Sequence, residues 1–151
     1  MGHPAFQLDE YVQPEVDLQA AGAEAFDRLL RPPAMWTAIA VGHIELTGQQ
    51  AARLSRIGLK RSWPDHLIIW PDGNGRPIVV GIEWKTGDGR LSISRIVHTK
   101  RGKPRWVEGQ RETFPKLKAA GMRIFVCISV DHALRILQAM ECPMLKWEVT
   151  A

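Results

Sequence analysis

Cysteine is scarce: Cys127 and Cys142 are the only two in 151 residues. They make no CxxC pair and no zinc-ligand spacing, which excludes a disulfide framework and a structural zinc site and makes a reducing compartment the expected setting. Long apolar runs are missing too. The longest, residues 124–128, is five residues against the roughly 20 that a membrane span needs. Asp9, Glu10 and Glu15 stand near the start where a secretory signal would carry a basic segment and an apolar core. A soluble intracellular protein without membrane attachment is the expectation. There are no repeats and no low-complexity tracts. One domain of this length buries roughly 70% of the surface of its extended chain, enough to fold without staples. Gly73-Asn74-Gly75-Arg76 lacks the Lys-Ser/Thr and the strand-to-helix context of a phosphate-binding loop, so no nucleotide cofactor is expected.

Basic residues are absent from the first 27 positions, which hold six acids. Since the whole chain has 20 bases and 16 acids, positions 28–151 carry 20 against 10, a net of +10. The densest stretch, 95–118, sets Arg95, Lys100, Arg101, Lys103, Arg105, Arg111, Lys116 and Lys118 against Glu108 and Glu112. A polyanionic partner fits this distribution, and so does a solvated face kept soluble by charge.

Local patterning predicts a helix over 15–30 after Pro14, with Val16, Ala20, Ala23, Phe26, Leu29 and Leu30 as its apolar stripe, stopped by Pro32 and Pro33. A strand is predicted at 36–41, then a helix over 47–57 capped by Thr47 and closed by Gly58. Residues 66–70 and 78–85 are β-rich and flank a turn with Asn74-Gly75, the signal of an antiparallel hairpin. Residues 90–97 extend the sheet or form a loop, and 99–104 form an exposed basic loop. A helix follows from about Gln110, with Phe114, Leu117 and Ala120 inward, then a strand over 122–130. A last helix is capped by Asp131 and buries Ala133, Leu134, Leu137 and Met140, and residues 145–149 make an edge strand. This order points to an α/β or α+β fold, a mixed β-sheet flanked by helices.

The hairpin brings chemistry together. Glu83 and Lys85, two apart on a strand, project to one face while Ile82 and Trp84 take the other, and Asp65 at the mouth of the partner strand joins them. Two converging carboxylates repel unless a cation compensates, and hard oxygen donors suit Mg²⁺ or Mn²⁺. Lys85 beside that ion would orient an attacking water or stabilise charge on a phosphoryl group. The same residues would also serve as a turn cap and a solvated strand-end pair. His66, next to Asp65, faces the opposite side and is expected to pack; His98 and His132 have no metal-spaced partner. Trp63, Trp70, Trp84 and Trp106 are candidates for a dimer surface or for base stacking, with packing expected for Trp70 and Trp84. Trp106, amid Lys100, Arg101, Lys103, Arg105 and Arg111, is the expected nucleic-acid contact.

Pro64-Asp65 with Glu83-Trp84-Lys85 resembles the signature of the PD-(D/E)XK nuclease superfamily, and the flanks resemble its VRR-NUC members. Residues 51–60, AARLSRIGLK, resemble the family's approach to the Pro-Asp. Leu91-Ser92 after the ExK strand, Gln110 followed by Leu117-Lys118-Ala119-Ala120-Gly121, a strand to Val130 and a helix over 131–140 complete a resemblance spanning about 15–143. It implies a single domain over 1–151 with a restriction-endonuclease-like core and a cytoplasmic, bacterial or phage setting. The implied activity is divalent-metal-dependent cleavage of DNA, selective for Holliday junctions or other branches in recombination and repair, by a homodimer. A nuclease for flaps, ends or RNA and a non-catalytic DNA-binding domain are the alternatives. By position, Asp65 and Glu83 would bind Mg²⁺, replaceable by Mn²⁺, with the Trp84 backbone carbonyl as a further ligand. Lys85 would serve the hydrolytic water, Gln110 the water shell or substrate backbone. Glu15, with Glu24 as fallback, would supply the acid of the first helix. The chain departs from the family in two places: 18 positions separate Ser92 from Gln110, read as a basic insertion at 93–109, and Gly42-His43 replaces the usual Asn-Gly, leaving His43 as a substitute polar contact or local structure.

Overall fold

Pro14 fixes the entry to α1 (Glu15–Leu29), where Glu15 and Asp17 in the first turn and Arg28 in the last complement the helix dipole. In the computed structural model of the protein, residues 14–39, 46–98, 102 and 104–147 are described, Val97 and Arg105 by their backbone alone. The expected strand residues 40–41, His43, the basic-loop residues Lys100, Arg101 and Lys103, and residues 148–149 of the expected edge strand lie outside the described residues, as does the Arg105 side chain; Leu145 to Trp147 form no strand, the chain there pairing, among the described residues, only through the single bridge of Met144 to Leu30.

The elements that follow are β1 (Met35–Ala38), α2 (Gly48–Arg56), β2 (His66–Pro71), β3 (Pro77–Trp84), β4 (Arg95–Val97), β5 (Arg105–Val107), α3 (Gln110–Ala119), β6 (Arg123–Cys127) and α4 (Val130–Ala139). Thr47 and Gln50 form a capping box at the start of α2. The β2–β3 turn closes through Asp72 Oδ1, which accepts from the backbone N–H groups of Asn74 and Arg76 at 2.8 and 2.9 Å. Ser129, not Asp131, caps α4: its hydroxyl accepts the His132 N–H at 3.1 Å, leaving Asp131 in the first turn.

β1, β2, β3 and β6 form one sheet in that order, antiparallel except for the parallel β3–β6 pair, and β4 pairs with β5 alone. The chain is therefore a mixed α/β structure with a mixed sheet and four helices. Helices cover both faces. On one, Leu18 and Phe26 of α1 and Leu134 and Leu137 of α4 pack against Ile68, Trp70, Val80, Ile82 and Trp84. On the other, Phe114 and Leu117 of α3 meet Ile124, with Trp63, Leu91, Met122 and Val126 around them. Ala120 is exposed, because α3 ends before it completes another inward turn.

The predicted stripe holds at its C-terminal end, where Phe26 and Leu30 are buried and Leu29 packs on the core, but the N-terminal half turns inward at Leu18 and Gly22 instead: Val16 is 48% exposed and Ala20 is also on the surface. The indole of Trp84 sets this rotation. It lies so close to the helix that a Cβ at Gly22 would overlap the ring, so glycine is the residue that lets helix and strand approach. No described helix is long and apolar enough to cross a membrane.

Candidate functional site

β3 alternates strictly. Ile82 and Trp84 point into the core with His66, while Glu83 and then Lys85 point to the α3 side. On the core side, the Trp84 indole N–H donates to His66 Nδ1 at 2.8 Å, and Phe26 and Trp36 stand edge-on to the imidazole. Burial pushes the His66 pKa down to about 4. His66 is thus a packed histidine, as its strand position predicts. Trp70 and Trp84 are core residues too, which removes both from any stacking or dimer surface.

On the other side, Asp65 and Glu83 are almost fully buried. Asp65 is held at the mouth of the hairpin: its Oδ2 accepts the Trp84 backbone N–H at 2.9 Å. Lys85 Nζ lies 3.1 Å from Glu83 Oε1 and 3.8 Å from Glu15 Oε2. Glu15 reaches it from the first turn of α1, whereas Glu24 is on the surface paired with Arg28 and takes no part. Gln110, the first residue of α3, donates from Nε2 to Glu83 Oε1 at 2.5 Å. The five residues nominated from the sequence, Asp65, Glu83, Lys85, Gln110 and Glu15, are thus in one cluster.

Gln110 is also tied to the chain on its other side. Its Oε1 accepts the Ser92 N–H at 3.2 Å, and its own N–H donates to Ser92 Oγ at 3.0 Å. It braces Glu83 against the chain that leaves β3. The 18-position gap closes in space: the segment between Ser92 and Gln110 carries the β4–β5 ribbon, and its two ends meet at those residues. Ser94 Oγ accepts the Gly109 N–H at 2.9 Å, and a Cβ at Gly109 would collide with the backbone of 92–94, so glycine is required there. Ser92 and Gly109 are the functional supports the sequence reading did not assign. The signals were present as a serine after the ExK strand and a glycine immediately before the helix.

The electrostatics are uneven. Burial pushes the Glu83 carboxyl up to about 7, the charge of Asp65 pushes the same way, and Lys85 and Gln110 oppose them. Glu83 Oε1 is doubly engaged, yet Oε2 is buried with no hydrogen-bond partner among the described residues. A buried carboxylate oxygen without a partner, in the field of a second carboxylate, is costly unless a cation compensates. No group of three or more His, Cys, Asp and Glu side chains that could hold a metal is found among the described residues. The two carboxylates buried together are hard oxygen donors of the kind a divalent cation takes.

Of the expected nucleic-acid contacts, Trp106 is 60% exposed on β5 opposite Ile96, 57% exposed on β4, and Arg111 is exposed at the start of α3. Comparison with known proteins adds no family: no family model, no curated protein and no solved structure matches the chain.

Proposed function

We propose that the protein is a divalent-metal-dependent nuclease of the PD-(D/E)XK type, built on a restriction-endonuclease-like core, that hydrolyses phosphodiester bonds in DNA. The observation that carries this reading is the buried, unpaired Glu83 Oε2 in a cluster where Asp65, Glu83 and Lys85 converge. A purely structural strand end would be solvated or would replace such a carboxylate with an apolar side chain.

Asp65, Glu83 and the Trp84 carbonyl would hold Mg²⁺, replaceable by Mn²⁺, and the bound ion would polarise the scissile phosphate. Lys85 orients the attacking water through its ammonium and stabilises charge on the phosphoryl oxygens. Gln110 fixes the rotamer of Glu83, and Glu15 balances Lys85 from the helix. Hydrolysis forms a bond from the water oxygen to phosphorus and breaks the bond to O3′. The water gives up a proton, the leaving oxygen gains one from solvent, and the products are a 5′ phosphate and a 3′ hydroxyl. Branched DNA cut by a homodimer is the substrate class this reading favours, since a two-fold pair of sites suits a symmetric junction.

The experiment is cleavage of end-labelled four-way junction, flap, splayed and linear duplex DNA with EDTA, Mg²⁺ or Mn²⁺, with Lys85→Ala beside wild type. Metal- and Lys85-dependent incision is expected, paired across the junction for a dimer. Equal cutting by Lys85→Ala would overturn the mechanism, and binding without cutting under every metal would leave a non-catalytic DNA-binding domain.

A further inference from the structure

Residues 46–64 contain Arg53, Arg56, Lys60 and Arg61 and no acid. All four side chains are exposed, and none has an ion-pair partner among the described residues, whereas Arg28, Arg90 and Lys116 are each paired with a neighbouring carboxylate. Arg53 and Arg56 sit in the last turn of α2, where they complement the dipole, but Lys60 and Arg61 lie beyond the helix and gain nothing from it. α2 buries none of its residues, so its capping box rather than packing defines it, and Ile57 at its end is 81% exposed. Such an uncompensated run of cations creates a field that a polyanion complements.

The root of this segment is firm. Ser62 turns the chain with φ 68° and donates from Oγ to the Glu108 carbonyl at 2.5 Å. Trp63 packs beside Phe114 and Leu117, and Pro64 is buried directly before Asp65. The cations therefore stand on the chain that delivers Asp65, tied to the segment that delivers Gln110.

We propose that α2 and the turn after it form an arm that grips the backbone phosphates of a DNA duplex and leads it into the Asp65–Glu83 cluster. What the cluster does to that duplex rests on the nuclease reading; the grip itself does not. It is a second contact surface, separate from the β4–β5 ribbon.

The test uses the full chain with Lys85→Ala in EDTA and measures anisotropy of fluorescein-labelled duplex DNA across a salt series. One variant adds Arg53→Gln, Arg56→Gln, Lys60→Gln and Arg61→Gln. A control adds Arg28→Gln, Arg76→Gln, Arg135→Gln and Lys146→Gln and loses the same charge. Each phosphate contact contributes about 0.9 to the slope of log affinity against log salt, so the arm variant is expected to lose about 2–4 in slope and the control none. An arm variant with wild-type slope and affinity, a control that loses as much, or a parent protein that binds no duplex would each overturn the arm. Melting by circular dichroism should be the same for the arm variant and its parent, because α2 buries nothing; a loss of fold would show the segment to be structural and overturn the arm. The two readings fail separately. For cleavage the four arm substitutions are placed in the protein that keeps Lys85: metal-dependent cutting at the wild-type rate there removes the grip and keeps the nuclease, whereas arm-dependent binding with no cleavage by the wild-type protein under any metal does the reverse.

Discussion

The two faces of the β2–β3 hairpin bury ionisable groups at adjacent register positions, His66 opposite Ile82 and Glu83 next to it, and settle them in opposite ways. On the core face, burial drives the His66 imidazole neutral, and its Nδ1 accepts the Trp84 indole N–H, so the group is quiet at neutral pH. On the α3 face, burial drives the Glu83 carboxyl toward neutrality as well, but Asp65 and Lys85 keep it in an electrostatic contest and one oxygen stays unpaired. Packing alone explains the first arrangement. The second costs stability, and a fold under no other demand would lose it to an apolar side chain. On the nuclease reading proposed above, the difference separates a residue kept for the fold from one kept for a metal ion.

The sharpest test of the ligand face is Lys85→Ala, which should lower metal-dependent cleavage roughly 10²–10⁴-fold. Urea unfolding at pH 5, where folded Glu83 holds its proton and needs no cation beside it, should place its stability close to that of wild type. Trp84→Ala strikes the fold face instead. It should cost about 3–5 kcal/mol, read from the same unfolding curves, by emptying the site between α1 and the sheet.

The pH dependence divides the faces further. Folded Glu83 keeps its proton up to about pH 7 while the unfolded chain releases it near 4.5. Its contribution is full below pH 4.5 and is lost as pH rises through 7, a loss of about 3 kcal/mol in metal-free protein. Glu83→Gln should remove this loss and so gain stability at pH 8, not at pH 4, while abolishing cleavage; Mg²⁺ should also reduce the loss in wild type. His66 runs the other way. Its folded pKa of about 4 lies below the ordinary 6.5, so its contribution is full above 6.5 and about 3 kcal/mol is lost as pH falls through 4. Thermal melts from pH 4 to 8 check both limbs, and His66→Gln should flatten the acid one. The smallest effect is expected from Ser92→Ala, about 1 kcal/mol in an unfolding assay, with less damage to cleavage than Lys85→Ala because Gln110 keeps its bond to Glu83.

The hairpin and the convergence on it were legible because both follow from local rules: Asn74-Gly75 dictates the reversal, and the two-residue period puts Glu83 and Lys85 together. The α2 cap was legible for the same reason, since Thr47 and Gln50 act within four residues of each other. The rotation of α1 was not, because Val16 and Leu18 are equally apolar and only the distant Trp84 indole decides which turns inward. Nor was the cap of α4, where Ser129 and Asp131 are both competent and the end of β6 selects Ser129. The joining of Ser92 to Gln110 was hidden by sequence distance. The separate β4–β5 pairing was open between sheet extension and loop, since strands of three residues carry too few positions to show alternation.

The meeting of Ser92 and Gln110 has an evolutionary consequence. When the ends of an excursion are pinned by hydrogen bonds and by a glycine that admits nothing larger, the length and composition between them become free variables. The ribbon is then an exchangeable cassette: lengthening, shortening or recharging it alters which molecules the surface meets and leaves the spacing of Asp65, Glu83 and Lys85 alone. On the nuclease reading, the surface that meets the substrate is then free to vary without moving the residues proposed for the chemistry.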